Sequence, residues 1–415
     1  MSDLTEFYKT PNAMEPLFPD DASKKLEALA ITLISKANNL SGKLHPITRA
    51  AIADFLRPMN SYYSNLIEGH DTHPIDIHKA LNSDYSKDKK KRDLQLEAYA
   101  HVNVHKSISE EMRKASRDVN PSSVSFLQRI HSEFYDYLPS EFKKVISKEG
   151  EVKEVIPGKF RKTEVEVGRH IAPYSKNLKI FMERFENFYD SFSDSNQSKI
   201  KRIISIAASH HRLVWIHPFL DGNGRVVRLY SDACFMFEEL DASGLWSISR
   251  GLARAKEDYH AHLANADLQR FNDYDGRGNL SNKMLIAFCD FFIQTAIDQI
   301  DYMSRIIDID TMLTRLTKFA ELMSIKGKLK RESEYVLTGV FLKGKISKSE
   351  AMRITQLSDK TLKILIDELT ALQLVIPKKE GKEVMYYVSY PITYAASIFP
   401  GLYPSSKEID MLNEM

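Results

Sequence analysis

Apolar residues recur at three- and four-residue intervals through most of this chain, the spacing that lines one face of a helix. On that pattern helices are expected over 22–37, 46–68, 94–114, 123–137, 177–192, 198–215, 225–239, 249–269 and 282–307. One shorter stretch, 158–168, alternates in twos around Val165 and Val167 between Gly158 and Gly168, which predicts a β-hairpin. Beyond about residue 320 the pattern changes. Helices over 334–342, 347–355 and 358–372 lead into two strand-like runs, 374–376 and 384–388, around the polar turn 378–383. Ser347 and Ser358 stand where helix N-caps are needed. The expected fold class is mainly α, in three parts: a helical region 1–90, a helical core 91–310 and a smaller unit 320–415.

Composition narrows the classes. With 415 residues the chain can bury a substantial core, and a net charge of +2 gives no bulk electrostatic argument for nucleic acid. The four consecutive basic residues 89–92 read as a solvated helix start. Cys234 and Cys289 sit in apolar helical runs, as buried thiols do, which argues against a disulfide frame or a zinc site. The first residues are polar and proline-containing, without the apolar core of a signal peptide, and no run approaches a membrane span. A cytoplasmic protein with no membrane partner is expected.

Chemistry concentrates in residues 217–228, His-Pro-Phe-Leu-Asp-Gly-Asn-Gly-Arg-Val-Val-Arg. Pro218 biases His217 away from the helical region, which predicts an extended arrival segment with a projecting imidazole. Gly222 and Gly224 allow consecutive N–H groups to face one anion, and the helix expected from residue 225 adds its unpaired N-terminal donors. Arg225 and Arg228, three apart, reach one side of that helix, and their guanidinium forks suit phosphate oxygens. Asp221 beside a phosphate calls for a cation between the two, and Mg2+ is the natural choice. A dinucleotide fingerprint does not fit, because Val227 holds the third glycine position and helical periodicity precedes the loop. No Walker loop is present in the sequence.

The segment resembles the His-Pro-Phe-x-Asp/Glu-Gly-Asn-Gly-Arg-x-x-Arg signature of the Fic family at every defined position. The resemblance implies a helical Fic core that moves AMP from ATP to a protein hydroxyl. It makes His217 the base for that hydroxyl and Asp221 the Mg2+ ligand. Asn223 and the Gly222–Gly224 backbone would cradle the α- and β-phosphates. Arg225 would contact phosphate oxygens and Arg228 the γ-phosphate. Gly224, where the kinase branch carries lysine, favours nucleotide over phosphoryl transfer.

Three further stretches acquire meaning beside that signature. Ser64-Asn65-Leu66-Ile67-Glu68-Gly69 resembles the family's inhibitory pattern, which implies that Glu68, with Ser64, pairs with Arg228 and blocks the γ-phosphate space. The hairpin at 158–168 resembles the flap that docks a target backbone by strand addition, giving Thr163, Glu164 and Val165 that role. It departs from the family at Arg169, where a second glycine is frequent. Tyr259, followed by His260, stands where relatives often carry two tyrosines, and Asp267 near an asparagine of the adenine region. Tyr259 reads equally as base-pocket wall or as core. The adjacent His210 and His211 read as packing or hydrogen-bonding residues rather than metal ligands.

The C-terminal pattern, three helices and a two-stranded wing, resembles a winged helix-turn-helix domain. Residues 326–383 hold thirteen basic and eight acidic residues, mildly favourable for phosphate contacts. The helix over 358–372 carries Asp359, Asp367 and Glu368 and no arginine, so a protein-docking wing is as reasonable as a DNA reader. The expected protein is a self-inhibited adenylyltransferase and homodimer with ATP and a Ser/Thr/Tyr acceptor, itself included, as partners. The alternatives are a DNA-binding regulator with a nucleotide-sensing core, or a bifunctional enzyme that also removes AMP.

Overall fold

The computed structural model describes residues 8–114, 119–146, 150–168, 170–190 and 197–414. Helices dominate, as the periodicity requires. In the N-terminal part α1 (Lys25–Gly42), α2 (Pro46–Ile67), α3 (Pro74–Leu81) and α4 (Lys89–Met112) succeed one another. The middle part comprises α5 (Val124–Asp136), α6 (Leu178–Tyr189), α7 (Lys199–Ile216), α8 (Asn223–Phe237), α9 (Ile248–Arg254), α10 (Lys256–Ala266) and α11 (Asn282–Ile306). The apolar stripe of α11, with Leu285, Phe288, Phe292 and Ile300 buried, packs against α1, α7, α9 and α10. Helix α8 is buried along its whole length and contacts α4, α5, α7 and α9. A helix buried on every side belongs at the centre of such a stack.

Two hairpins lie between α5 and α6. The first, β1 (Lys144–Ile146) with β2 (Val152–Glu154), was not foreseen from the sequence. The second, β3 (Glu166–Val167) with β4 (His170–Ile171), is shorter than expected and begins one residue after Val165. Arg169 lies outside the described residues, as do residues 191 and 192 at the end of the helix expected over 177–192. The single helix expected over 249–269 is two, because Ala255 leaves helical geometry at φ −112°, ψ 39° between α9 and α10. The eight-residue α3 and the seventeen-residue α12 (Ile309–Ile325) were also missed.

The C-terminal unit has the order α13 (Ser333–Lys343), β5 (Lys345–Ser347), α14 (Lys348–Thr355), α15 (Asp359–Ala371), β6 (Val375–Glu380), β7 (Glu383–Val388). Its sheet has three strands rather than two, ordered β5-β7-β6 and antiparallel throughout. Strand β5 escaped notice because three residues are too few to show a period. Ser347 and Ser358 cap α14 and α15 as expected, accepting from Glu350 N–H at 3.1 Å and Thr361 N–H at 3.3 Å. The short α16 (Ala395–Ile398) and α17 (Ser405–Glu414) follow.

This unit grips α2 from outside. Thr48 Oγ1 donates to the Phe341 carbonyl at 2.7 Å, and Tyr63 Oη to the Leu402 carbonyl at 2.7 Å. Arg250 of α9 reaches the same loop, donating to the Gly401 carbonyl at 2.8 Å. Helix α2 is therefore held between the helical core and the C-terminal segment. Both cysteines are free and buried. Among the described residues no helix is long and apolar enough to cross a membrane.

Candidate active site

Helix α7 starts at its cap Ser198, which accepts from Lys201 N–H at 3.3 Å, and ends on His217. His217 is not extended as Pro218 suggested; it lies in the left-handed region at φ 48°, ψ 60°. A left-handed residue is how many helices stop, and this conformation also avoids the right-handed region that a following proline disfavours. The His217 N–H donates to Leu213 O at 3.1 Å, so the residue is both helix end and loop start. Arg161 locks it there: its Nε donates to His217 O at 2.8 Å and its backbone N–H to Pro218 O at 2.9 Å. Arg161 also donates to Thr163 O at 3.0 Å and Pro173 O at 2.5 Å. Burial pushes this guanidinium down to about 10, against the pull of Glu164.

The imidazole is neutral and has one nitrogen open. His217 Nδ1 stands 3.3 Å from Val214 O, which can only accept, so Nδ1 carries the hydrogen and Nε2 is the free acceptor. Burial, reinforced by His170 and Arg161, pushes its pKa down to about 4. It is neutral at physiological pH.

The next turn is braced from within. Asn223 accepts from Phe219 N–H at 2.9 Å and donates to Phe219 O at 2.8 Å, so both polar atoms of its side chain are used in holding the loop. The side chain thus fixes the shape of the loop. Gly222 takes φ +77° at the N-cap of α8, under the Tyr135 ring, where a Cβ would meet the ring edge at 3.2 Å. The first N–H groups of α8 consequently face out of the helix without partners inside it.

Helix α5 supplies the loop's outer support. Gly158 N–H donates to His131 Nδ1 at 2.9 Å, which leaves Nε2–H to donate to Asp221 O at 3.2 Å. The His131 ring stacks on Phe219 at 4.0 Å, and burial pushes its pKa down to about 4. Tyr135 Oη donates to Asp221 Oδ2 at 2.6 Å. Burial works to raise Asp221, but Arg225, Tyr135 and the Gly222 amide outweigh it and hold its carboxyl below the usual range. Its side chain is 44% exposed, the most open of the loop's charged groups. Among the described residues no cluster of three or more His, Cys, Asp or Glu could hold a metal unaided. A lone, ionised, half-open carboxylate still fits Mg2+, which takes few protein oxygens and completes its shell with phosphate and water.

The two arginines face different partners. Arg225 is buried, donates to Glu97 Oε1 at 3.2 Å and Asp221 Oδ2 at 3.3 Å, and lies 4.7 Å from the Phe134 ring centre. It ties the loop to α4 rather than standing free for a ligand. Glu97 in turn meets His70 Nδ1 at 2.5 Å. Arg228, one turn on, is claimed by the end of α2. Its Nε donates to Ser64 Oγ at 2.9 Å and Nη2 to Ser64 O at 2.9 Å and Glu68 Oε1 at 2.6 Å. Only one carboxylate oxygen is engaged, not the bidentate fork. The Glu68 carboxylate lies directly over Gly224, so closely that a Cβ there would overlap Oε1. The glutamate thus covers the N-terminus of α8 while pairing with the arginine. Burial works against its charge, but Arg228 and Arg225 keep its carboxyl below the usual range.

On the other side of His217 runs a groove of about 620 Å3, whose walls include Trp215, Val167, Ile171 and Leu268. The flap's second strand is clasped across it: His170 Nε2 lies 2.7 Å from Trp215 O and Nδ1 3.2 Å from Asp267 Oδ2. Asp267 Oδ1 meets His211 Nε2 at 3.2 Å. Asp267 is therefore committed to the flap and α7, not turned toward a base. Thr163, Glu164 and Val165 precede β3; Glu164 accepts from Ser175 Oγ at 2.9 Å, and Val165 O from Ala172 N–H at 3.4 Å. Tyr259 is 2% exposed, with Oη 2.8 Å from His210 Nε2, while His260 lines the groove. His210 Nδ1 reaches Ser231 Oγ at 2.7 Å, so both adjacent histidines are hydrogen-bonded within the core.

Sequence reasoning missed Arg161, His131, Tyr135 and Glu97. Each lies on an element whose pattern was read only for its period, and none has a fixed spacing from the loop it braces.

Residues 121–234 match the Fic/DOC family. The chain carries a Fic/DOC domain over these residues. It is 41% identical over 88 residues to the protein adenylyltransferase Fic of Drosophila grimshawi, a match covering 21% of this chain and 17% of that protein. The Drosophila melanogaster protein of the same name is 39% identical over 87 residues, with the same coverage. The match thus spans about a sixth of the length of these relatives. Among solved structures, a Fic family protein from Desulfovibrio desulfuricans overlays 88% of this chain and 97% of its own, at a TM-score of 0.47 and 14% identity.

Proposed function

We propose that this Fic protein transfers AMP from ATP to a serine, threonine or tyrosine hydroxyl of a protein, and that Glu68 holds the enzyme back. The observation that carries the reading is the position of His217. Its free Nε2 belongs to a neutral imidazole in the loop that leads into α8, on the wall of a groove bordered by a flap. A base placed there can take the acceptor proton as attack on phosphorus develops. The α8 amides and Arg228 can hold phosphate oxygens, with Asp221 holding Mg2+. The metal would supply charge neutralisation on the phosphates. The relatives' name, protein adenylyltransferase, supports the same donor and reaction.

Restraint follows from exclusion. Glu68 and a γ-phosphate cannot both claim Arg228, and a carboxylate over Gly224 occupies the ground an anion would use. The unit after residue 320, with its helix–strand–helix–helix–strand–strand order, we read as a winged helix that selects partners.

The test is incubation of wild type, Glu68→Gly and His217→Ala with α-labelled ATP and lysate. The reading expects strong labelling of protein by Glu68→Gly, weak labelling by wild type and none by His217→Ala. Labelling that survives His217→Ala would remove the base from the mechanism, and equal labelling by the first two would remove the restraint. Sequence-selective DNA binding without any transfer would support the regulator reading instead.

A further inference from the structure

We infer that Tyr8 of this same chain is an acceptor of the transferred AMP, modified within its own molecule. The inference rests on the transferase reading above and deepens it by naming a hydroxyl. Tyr8 is a wall of the groove that contains His217. Its ring stacks on Trp215, two residues before His217, with centroids 5.9 Å apart and planes inclined by 25°. Asp267, which clasps the flap, lines the same groove. The ring is partly exposed.

The chain after Tyr8 is tethered, so its arrival in the groove is built into the fold. Lys9 O accepts from Asn177 Nδ2 at 3.0 Å, just ahead of α6. Ala13 and Met14 are fully buried, and Glu15 accepts from Arg184 Nη2 at 2.6 Å. Leu280 N–H donates to Glu15 O at 2.7 Å, and Tyr189 Oη to Leu17 O at 2.6 Å. A tether a few residues from the ring keeps the phenol at high local concentration in the groove that His217 also lines, which favours reaction in the same molecule over reaction between molecules.

The chemistry balances without a further reagent. Tyr8 Oη forms a bond to the α-phosphorus of ATP, the bond from that phosphorus to the oxygen bridging to the β-phosphate breaks, and pyrophosphate departs. The phenolic proton passes to His217 Nε2, the nitrogen left free by the contact of Nδ1 with Val214 O. The product is a tyrosyl AMP phosphodiester that fills the groove with its own nucleotide. Modified protein would then exclude other acceptors, so modification of Tyr8 should lower transfer to proteins in trans.

The experiment is peptide mass spectrometry of full-length wild type and Glu68→Gly after incubation with ATP and Mg2+, at several protein concentrations, with lysate proteins probed in parallel. The expected result is an AMP adduct on Tyr8, formed at a rate per molecule independent of protein concentration. Tyr8→Phe, which keeps the stack on Trp215 and removes only the nucleophile, should lose the self-adduct and label lysate proteins at least as well. An adduct elsewhere with Tyr8 unmodified, or one on Tyr8 whose rate per molecule rises with protein concentration, overturns the inference. Transfer to lysate proteins with an unmodified Tyr8 overturns it while leaving the transferase reading intact. Absence of transfer to any protein overturns both.

Discussion

Arg228 Nη2 and Glu68 Oε1 stand 2.6 Å apart although 160 positions separate them in the chain. Arg228 is almost fully buried, whereas the Glu68 side chain is 35% exposed. The pair therefore has a fixed half and a removable half. Arg228 keeps both of its Ser64 contacts if Glu68 leaves, which makes Glu68 the more easily displaced member.

Gly224 is the position that reports the closed arrangement without any assay of transfer. A methyl group there overlaps Glu68 Oε1, so Gly224→Ala should push the glutamate off Arg228 and cost the free protein about 1 kcal/mol, the scale of a part-exposed ion pair. In a Glu68→Gly background the same change should cost much less. Urea unfolding of the four proteins measures the coupling. Additive costs would show that the glutamate does not sit over Gly224 in solution.

The base should titrate far from an ordinary histidine. His217 has its pKa pushed down to about 4, so it stays neutral, and competent to accept a proton, from pH 8 down to near pH 5. Histidine Cε1–H resonances followed by NMR in nucleotide-free protein, assigned with His217→Gln, should place its midpoint near 4. A midpoint close to 6.5 would mean the ring is solvated rather than packed.

A buried carboxyl behind α2 makes the opposite prediction for stability. Asp232 on α8 is pushed up to about 8 by burial and by Asp241, against the pull of Arg228, and stands 3.7 Å from His105. His105 stays neutral, its pKa pushed down to about 3 by burial. Between pH 4 and 8 the folded protein holds an Asp232 proton that the unfolded chain has released, so the contribution of this group to stability falls as pH rises through this window. Asp232→Asn should remove that slope and raise the melting temperature relative to wild type, more at pH 8 than at pH 5. Parallel curves for the two proteins would show that Asp232 is ionised in the fold.

The flap clasp should separate acceptor from nucleotide. Burial disfavours Asp267's charge, but its contacts with His170 and His211 overcome this and hold the carboxyl well below the usual range. Those contacts stabilise the fold above the carboxylate's unfolded value and are lost as pH falls through the folded one. Asp267→Asn should cost about 1–3 kcal/mol, as weakening of buried charge-assisted hydrogen bonds does. It should also speed amide exchange at residues 166–171, and raise KM for a protein acceptor while leaving KM for ATP unchanged. A rise in the ATP constant alone would return Asp267 to the base pocket.

What the chain determined by itself is what repeats or is contiguous. Periodicity placed most of the helices, because a buried stripe must recur at the helical spacing whatever it packs against. His217, Asp221, Gly222 and Arg228 were legible because they share twelve consecutive positions with one another, and local backbone chemistry couples them. Tertiary structure decided everything that depends on distance in space between residues remote in sequence. It assigned Arg225 to Glu97, and set Arg161 and His131 as the supports of the loop. It also gave His217 its left-handed turn and Asp267 its place against the flap. No spacing rule reaches these contacts, because a folded chain chooses partners by burial and hydrogen-bond satisfaction among surfaces that meet only after the helices have packed.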